Sequence, residues 1–319
     1  MLEDFQSHCA RVVRNLTGGM IVPFLGAGAN LCGRPEGTRW KPDQLTYLPE
    51  AAELAQFLAQ EFGCPPNATN DLSRVSQYVA TLEGTGPLYE KIHGLLDHDH
   101  PLTDLHRFFA EFTSELYERG HFGHSNLRGR FVIVTTNYDD LLERAFSERV
   151  ELFHVVTYVA EGKDRGRFYH WQPRHNVEII RNPNTYSGLI QDHHPVILKI
   201  HGAINRSDPE RDSFVITEDH YIDYLTRTDI ATLLPIPLPA ILKRCHLLFL
   251  GYGLRDWNLR VVLHRIWGSQ RLKWKSWAVQ TNPDELDRRF WLDKNVEIIE
   301  KDLAEYVEAL SNCRIDSAQ

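Results

Sequence analysis

Three short stretches of the sequence carry residue types that can bind a phosphate and transfer a proton. Gly26-Ala27-Gly28 ends an apolar run, and its two glycines let the backbone turn sharply and present N–H groups to a phosphate. Asn137 offers a donor and an acceptor that can hold a hydroxyl group or a water. His201, with an unperturbed pKa near ~6.5, can accept a proton near neutral pH. Together they predict a site that binds a phosphate-bearing ligand and places a water.

Each of these motifs also has an ordinary structural explanation. Short glycine turns close many strand-to-helix loops, and the dinucleotide fingerprint expects a third glycine where this chain has Leu31. Thr135 and Asn137 are common helix caps, and Gly251 is a common turn residue. His201 is equally compatible with a hydrogen-bonded loop histidine. Only the combination of motifs, in order along the chain, favours a functional site.

The elements that would position these residues are short buried strands that alternate with helices. This alternation predicts an α/β fold, a Rossmann-like doubly wound parallel sheet. Ligands of such sheets bind beyond the carboxyl ends of the strands, where the motifs lie. The predicted strands are Met20–Leu25, Phe131–Thr135, Val196–Ile200, Leu247–Leu250, Ser276–Gln280 and Val296–Ile299.

The remaining segments predict one domain with two insertions. The Rossmann-like core comprises about 1–30, 129–150 and 196–312, and it opens with a helix over 4–16. Four apolar-periodic segments predict a helical insertion over about 50–118. A second insertion of short β-like pieces covers about 151–195. The irregular segment 31–49 is predicted to be a lid over the glycine turn.

Composition limits the class of protein. The chain has 319 residues, 42% of them hydrophobic, which is ample for a core. Its net charge of −8 argues against a general nucleic-acid coat or an anionic membrane surface. Five cysteines without a C-x-x-C pair predict reduced thiols, a cytoplasmic location and no zinc module. No signal peptide or membrane span is expected.

Histidine pairs and a basic-aromatic segment are further candidate sites in the sequence. The pairs lie in polar loops without a recognised ligand set, so no metal site is expected. They are His98 with His100, His121 with His124, and His193 with His194. Residues 265–277 mix basic and aromatic types that can contact nucleic acid, but a helix end, a turn and a strand start are favoured. No carboxylate cluster indicates a metal-dependent nuclease.

The ordered motifs resemble the sirtuin family. Gly26-Ala27-Gly28 resembles the GAG nucleotide loop of that family, and the Thr135–Asp139 stretch resembles its TQNID motif. His201-Gly202 resembles its catalytic HG motif, and Gly251-Tyr252-Gly253 resembles its later ribose-binding glycine motif. The resemblance covers about residues 18–300. The chain departs from the family in lacking paired C-x-x-C ligands and the Gly-Ile-Pro-Asp-Phe-Arg loop, and in having Asn30 in place of the usual serine. These departures argue against protein deacylation.

The helical insertion and the run from Gly251 to Asn258 resemble the sirtuin-like subunits of bacterial antiphage defence. That resemblance implies an NAD+ glycohydrolase releasing nicotinamide and ADP-ribose, with NAD as its substrate, no metal, and a role as a cell-suicide effector. The implied catalytic residues are Asn137, His201 and Asp139, the last holding the nicotinamide carboxamide or fixing Asn137. The implied NAD-binding residues are Gly26, Ala27, Gly28, Asn30, Thr136, Gly251, Gly253 and Asp256.

Two other functions stay open at this point. An NAD-dependent deacylase or ADP-ribosyltransferase needs an acceptor, and a non-catalytic nucleotide sensor binds without turnover. The resemblance also implies a homo-oligomer and a hexameric HerA-type ATPase or translocase as a partner. Because an unrestrained hydrolase would empty its own cell of NAD, the chain alone is expected to have little activity.

Overall fold

The structure is a computed structural model, and it describes residues 4–65, 70–120, 130–189, 193–226, 234–253, 260, 263–264 and 272–316. Ten described helices are numbered in chain order. They are α1 (Phe5–Thr17), α2 (Ala51–Glu61), α3 (Leu72–Glu83), α4 (Thr85–Leu96), α5 (Asp104–Glu118), α6 (Leu141–Arg149), α7 (Glu218–Thr226), α8 (Leu238–Arg244), α9 (Glu285–Asp293) and α10 (Leu303–Asp316). Within this part of the chain, none is long and apolar enough to cross a membrane.

Nine strands form one sheet, and two short strands pair separately. The strands are β1 (Ile21–Leu25), β2 (Val132–Thr135), β3 (His154–Tyr158), β4 (Phe168–Trp171), β5 (Glu178–Ile180), β6 (Val196–Lys199), β7 (Gly202–Ala203), β8 (Ser213–Phe214), β9 (His246–Leu250), β10 (Ser276–Gln280) and β11 (Val296–Glu300). The large sheet has the order β11-β10-β9-β1-β2-β6-β3-β4-β5, while β7 pairs with β8.

Neighbouring strands are parallel from β11 to β3, and the β3–β4 and β4–β5 pairs are antiparallel because β4 runs in the opposite direction to the other strands. This confirms the predicted α/β doubly wound architecture. The predicted second insertion supplies β3, β4 and β5, which extend one edge of this sheet. Chain order reverses at β1, because the sheet grows through β2 on one side and through β9 on the other. This reversal is the position at which doubly wound sheets bind ligands.

Strand β1 is buried along its whole length despite Pro23. It pairs with β9 from Ile21 onwards, but it pairs with β2 only at Phe24 and Leu25. A proline has no N–H for a ladder, so a central strand tolerates it where one neighbour is not yet paired. The buried apolar run therefore outweighs the proline, and β1 ends at the glycine turn as predicted.

Helices cover both faces of the sheet and leave its carboxyl edge accessible. One apolar core joins a sheet face to α1, α5, α6 and α10, and a second joins the other face to α7, α8 and α9. In the predicted helical insertion of about 50–118, α5 packs against the sheet, whereas α2, α3 and α4 pack with one another. Their own core includes Phe214 of β8 and the neighbouring Ile204 and Ile216. The insertion is thereby held next to the loops that follow β2 and β6.

Candidate functional site

A cavity of about 890 Å³ lies at the carboxyl ends of β1, β2 and β9, between them and the helical insertion. It is therefore at the point where the strand order reverses. The predicted site residues on its wall are Ala27, Gly28, Asn30, Thr136, Asn137, Asp139, His201, Gly251 and Gly253. Gly26 is buried directly behind this wall, and Asp256 lies outside the described residues. One cavity thus brings together motifs that are far apart in the sequence.

The glycine turn after β1 packs against the turn after β9 through backbone hydrogen bonds. The N–H of Gly26 donates to the Leu250 carbonyl at 2.9 Å, and the N–H of Gly28 donates to the Gly251 carbonyl at 2.8 Å. The prediction that both amides point outward to a pyrophosphate is therefore wrong. Their hydrogen bonds join two neighbouring turns instead. The exposed Ala27 has no such bond among the described residues, which leaves its N–H as the donor of this turn.

Close approach of the two turns explains why glycines stand at these positions. A Cβ on Gly26 would lie 2.6 Å from the Gly251 carbonyl oxygen, and one on Gly28 would lie 2.8 Å from the Gly251 Cα. Real Cβ atoms do not approach backbone atoms so closely. The spacing of Gly26 and Gly28, which the sequence suggested for phosphate binding, is thus explained by the packing of the β1 and β9 turns.

Three polar side chains next to the glycine turn form one hydrogen-bonded chain. Asn30 donates through Nδ2 to Asp139 Oδ2 at 2.7 Å, and Asn137 donates through Nδ2 to Asn30 Oδ1 at 3.4 Å. Asp139 also accepts the N–H of Leu141, the first residue of α6, at 3.1 Å. The alternative in which Asn137 caps the helix does not hold, because Asp140 occupies the N-cap position of α6 and the Asn137 side chain donates to Asn30.

His201 lies on the cavity wall and is only 3% exposed. Its ring packs edge-on against Tyr221 and Tyr224, with ring centroids 5.7 and 5.6 Å away. Its Nε2 is buried without a hydrogen-bond partner in the described structure. Burial lowers the pKa of His201 to about 3. The expectation of a pKa near neutrality is therefore wrong, since a buried imidazolium would lose its hydration, and His201 is a neutral hydrogen-bonding group at physiological pH.

Thr136 and Tyr252 bridge the turns after β2 and β9. Their hydroxyl groups lie 3.1 Å apart, and the Thr136 N–H donates to the Leu25 carbonyl at 3.2 Å. Both residues line the cavity. Gly253 also lines it, but no atom within 4 Å would oppose a Cβ there. Packing in the described residues thus gives no reason for a glycine at 253, and its ligand-binding role stays a prediction.

Segment 31–49, the predicted lid, is fastened to α2 beside the cavity. Arg34 donates to both carboxylate oxygens of Glu53 at 2.9 and 2.6 Å, and the Trp40 N–H donates to Glu53 Oε1 at 2.8 Å. Burial alone would raise the pKa of Glu53, but these bonds and one from the Glu50 N–H lower it to about 2. Leu48 at the end of the segment lines the cavity and is buried. The segment is thus positioned to cover the site.

Replacing Arg34 with alanine is expected to release this segment. Hydrogen exchange of the amides in 31–49 should become at least about tenfold faster, because a bidentate ion pair no longer holds them closed. The stability difference between the two proteins should be complete above about pH 4.5 and should vanish as pH falls towards 2, because Glu53 has its pKa lowered in the fold. Exchange mass spectrometry and urea unfolding measure both. Arg39→Ala, an exposed position in the same segment, should change neither, and equal exchange in Arg34→Ala would contradict the assignment.

No group of three or more histidines, cysteines or carboxylates is arranged to hold a metal ion among the residues that the structure describes. His121 and His124 lie outside that part of the chain. His194 is engaged with the Tyr117 hydroxyl at 2.8 Å, and the His100 ring with the Leu95 carbonyl at 3.0 Å. These contacts give the two histidines structural roles.

Several residues of the site escaped the sequence analysis. Lys199 at the end of β6 is 1% exposed, and its ammonium donates to the Asp139 carbonyl and to Glu143 Oε1, the latter at 2.7 Å. The one sequence signal for this buried charge was a lysine in the otherwise apolar run Val196–Ile200. Tyr221 and the cavity-lining residues of α2 to α4 carry no motif, because their positions depend on how the insertion packs.

Comparison with known proteins gives one family and one distant curated relative. Residues 132–299 match the family model described as SIR2-like domain. Over 172 residues the chain is 24% identical to Defense-associated sirtuin 2 of Bacillus subtilis, a match covering 53% of this chain and 14% of that protein. The chain thus matches only a small part of its relative's length. A solved structure, described as "Structural Basis for the Mechanism and Regulation of Sir2 Enzymes", aligns over 100% of both chains with 12% identity and a TM-score of 0.43.

Proposed function

Because the chain belongs to the SIR2-like domain family, we propose that it is an NAD+ glycohydrolase, which releases nicotinamide and ADP-ribose. The observation that carries this proposal is the cavity at the strand-order reversal, with Asn137 and His201 on its wall. The buried Nε2 of His201 has no hydrogen-bond partner among the residues that the structure describes. A buried polar atom without a partner costs free energy, so its retention beside a cavity favours a ligand that supplies the missing bond.

Cleavage of the nicotinamide–ribose bond suits this set of groups. The nicotinamide of NAD+ is already cationic, so it departs as a neutral molecule without being protonated. An oxocarbenium-like ribose develops, a water attacks its anomeric carbon, and one proton is released. The chain must therefore orient ribose and water and does not have to supply an acid. Neutral His201 would form a hydrogen bond with a ribose hydroxyl or the attacking water, and Asn137 would hold the other.

The name of the relative supports a defence role for this reaction. Defense-associated sirtuin 2 is a larger protein than the segment it shares with this chain. We propose by analogy that this chain acts in defence against phage, with NAD+ depletion as its effect. The same proposal includes low activity of the isolated chain. It also includes activation by self-assembly or by a HerA-type hexameric ATPase. The exposed Leu82 of α3 and Ile222 of α7 offer apolar side chains for such contacts.

The purified chain with NAD+ tests the proposal. We expect nicotinamide to appear without any added acceptor, and its rate per chain to rise with protein concentration as assembly proceeds. Liquid chromatography measures nicotinamide, and light scattering on the same samples measures mass. A protein that binds NAD+ but releases no nicotinamide, alone or with a HerA-type ATPase, would be a sensor. Release only with an acceptor would indicate a deacylase or transferase.

A further inference from the structure

We propose that Asn30 is a positioning residue that turns the side-chain carbonyl of Asn137 towards the cavity. This inference rests on the proposed function and deepens it, because it assigns the acceptor that holds water or ribose. It also gives Asn30 a role other than the direct NAD contact that the family resemblance implied. The arrangement depends on donor and acceptor types at three side chains.

The first step is the orientation of Asn30 itself. A carboxylate accepts hydrogen bonds and donates none, so the group of Asn30 that lies 2.7 Å from Asp139 Oδ2 must be its NH2. The amide is planar, and its carbonyl oxygen therefore points to the opposite side. Asn30 is only 8% exposed, which leaves its side chain little freedom to rotate away. Asp139 thus fixes which atom Asn30 presents to Asn137.

The second step transfers this orientation to Asn137. Asn30 presents an oxygen, so the atom of Asn137 that lies 3.4 Å from it must be the donor Nδ2. Asn137 lines the cavity, so its carbonyl oxygen is then the atom left to accept a hydrogen bond there. A rotated amide would offer two donors at that place. Only the observed orientation accepts a hydrogen bond from a water or a ribose hydroxyl.

Asp139, which anchors the hydrogen-bonded row of Asn137, Asn30 and Asp139, is held from several directions. Asp139 Oδ1 accepts the Leu141 N–H, and the Asp139 carbonyl accepts from the buried ammonium of Lys199. Lys199 is paired in turn with Glu143 at 2.7 Å. Neither end of Asp139 can shift without breaking one of these contacts. An acceptor fixed in this way needs no reorganisation during the reaction, which is where preorganised polar groups gain their effect.

Exchanging the donor and the acceptor tests the proposal. Asn30→Asp faces Asp139 with a second carboxylate, and Asp139→Asn removes the group that orients Asn30. We expect each single variant to lose at least about tenfold in kcat, with KM changed less than about threefold. In the double variant Asn30→Asp with Asp139→Asn, an amide at 139 donates to a carboxylate at 30, which still accepts from Asn137. Its kcat should return to within about threefold of the wild type.

A direct NAD contact at Asn30 predicts the opposite pattern of changes in kcat and KM. Asn30→Ala would then raise KM with kcat unchanged, and the exchanged pair would not recover. A double variant that is folded by its melting curve but has no restored kcat overturns the proposal. If a single variant does not fold, the double variant still tests the proposal, because it keeps the hydrogen bonds among residues 30, 137 and 139.

A second measurement does not depend on turnover. In protein labelled with 15N-asparagine, the Asn137 side-chain amide signal is assigned by its loss in Asn137→Asp. We expect that signal to shift in Asn30→Ala and to stay in place in Asn184→Ala, an exposed position after β5 at the far edge of the sheet. An unmoved Asn137 signal in Asn30→Ala overturns the positioning role. If wild-type protein releases no nicotinamide, the glycohydrolase proposal fails, and the NMR result alone decides the role of Asn30.

Discussion

Nicotinamide release from NAD+ is expected to fall by at least about 100-fold when His201 is replaced by alanine. His201 lies on the cavity wall, and its buried Nε2 has no partner within the described structure. The substitution removes the hydrogen bond that this atom would form with ribose or water. Rates measured with folded protein at saturating NAD+ give the comparison. His175→Ala, in the exposed turn between β4 and β5, is the matched histidine control and should keep the wild-type rate.

The same variant tests the burial of His201 by its stability. The pKa of His201 is about 3 in the folded protein, below its unfolded value near 6.5. The unfolded chain therefore binds one more proton at intermediate pH, and wild-type stability declines as pH falls from about 6.5 towards 3. His201→Ala should show a decline that is shallower by about 1.4 kcal/mol per pH unit. Unchanged turnover in folded His201→Ala would remove this residue from the reaction, and an unchanged pH slope would contradict its burial.

Replacing Gly251 with alanine is expected to cost about 3–5 kcal/mol of stability and to abolish NAD+ binding. Its φ of +72° already disfavours any side chain, and a Cβ would lie 2.2 Å from the Ala29 nitrogen and 2.6 Å from the Gly28 carbonyl carbon. These are backbone atoms, so relief requires the β1 and β9 turns to separate. Left-handed strain and overpacking each contribute about 1–3 kcal/mol or more.

Thermal melting and calorimetric titration with NAD+ measure both effects of Gly251→Ala. A loss of this size lowers the melting temperature by roughly 5–8 °C in a chain of this length. Gly94→Ala is the control, because a Cβ at this exposed position of α4 meets no atom within 4 Å. It should be neutral or slightly stabilising. A Gly251→Ala protein that melts and binds like wild type would show that the two turns are not packed as described.

Much of the fold could be predicted because the strands are short, apolar and separated by helices. The run before Gly26 became β1 within one residue of its predicted start, and Ser276–Gln280 became β10 without change. The motifs after β1, β2, β6 and β9 could be placed at one edge because parallel strands share their carboxyl side.

The details of the site could not be predicted, because they depend on contacts between segments far apart in the sequence. The Gly28 amide is engaged by a carbonyl more than 200 positions away, which no local pattern reveals. The pKa of His201 is set by burial beneath Tyr221 and Tyr224, residues of a helix without a motif. The role of Asn30 follows from its distance to Asp139, whereas the sequence showed only a departure from the usual serine.

Glycohydrolase activity is tested most directly by cleaving NAD+ in 18O-labelled water and following the ribose product. Mass spectrometry of the products should show nicotinamide and ADP-ribose in equal amounts, with one 18O atom in the ADP-ribose. Asn137→Ala, which removes the proposed acceptor for water or ribose, should give neither product above background. Nicotinamide without free labelled ADP-ribose would mean that another acceptor takes the ribose. NAD+ bound but intact at every protein concentration, with or without a partner, would contradict glycohydrolase activity.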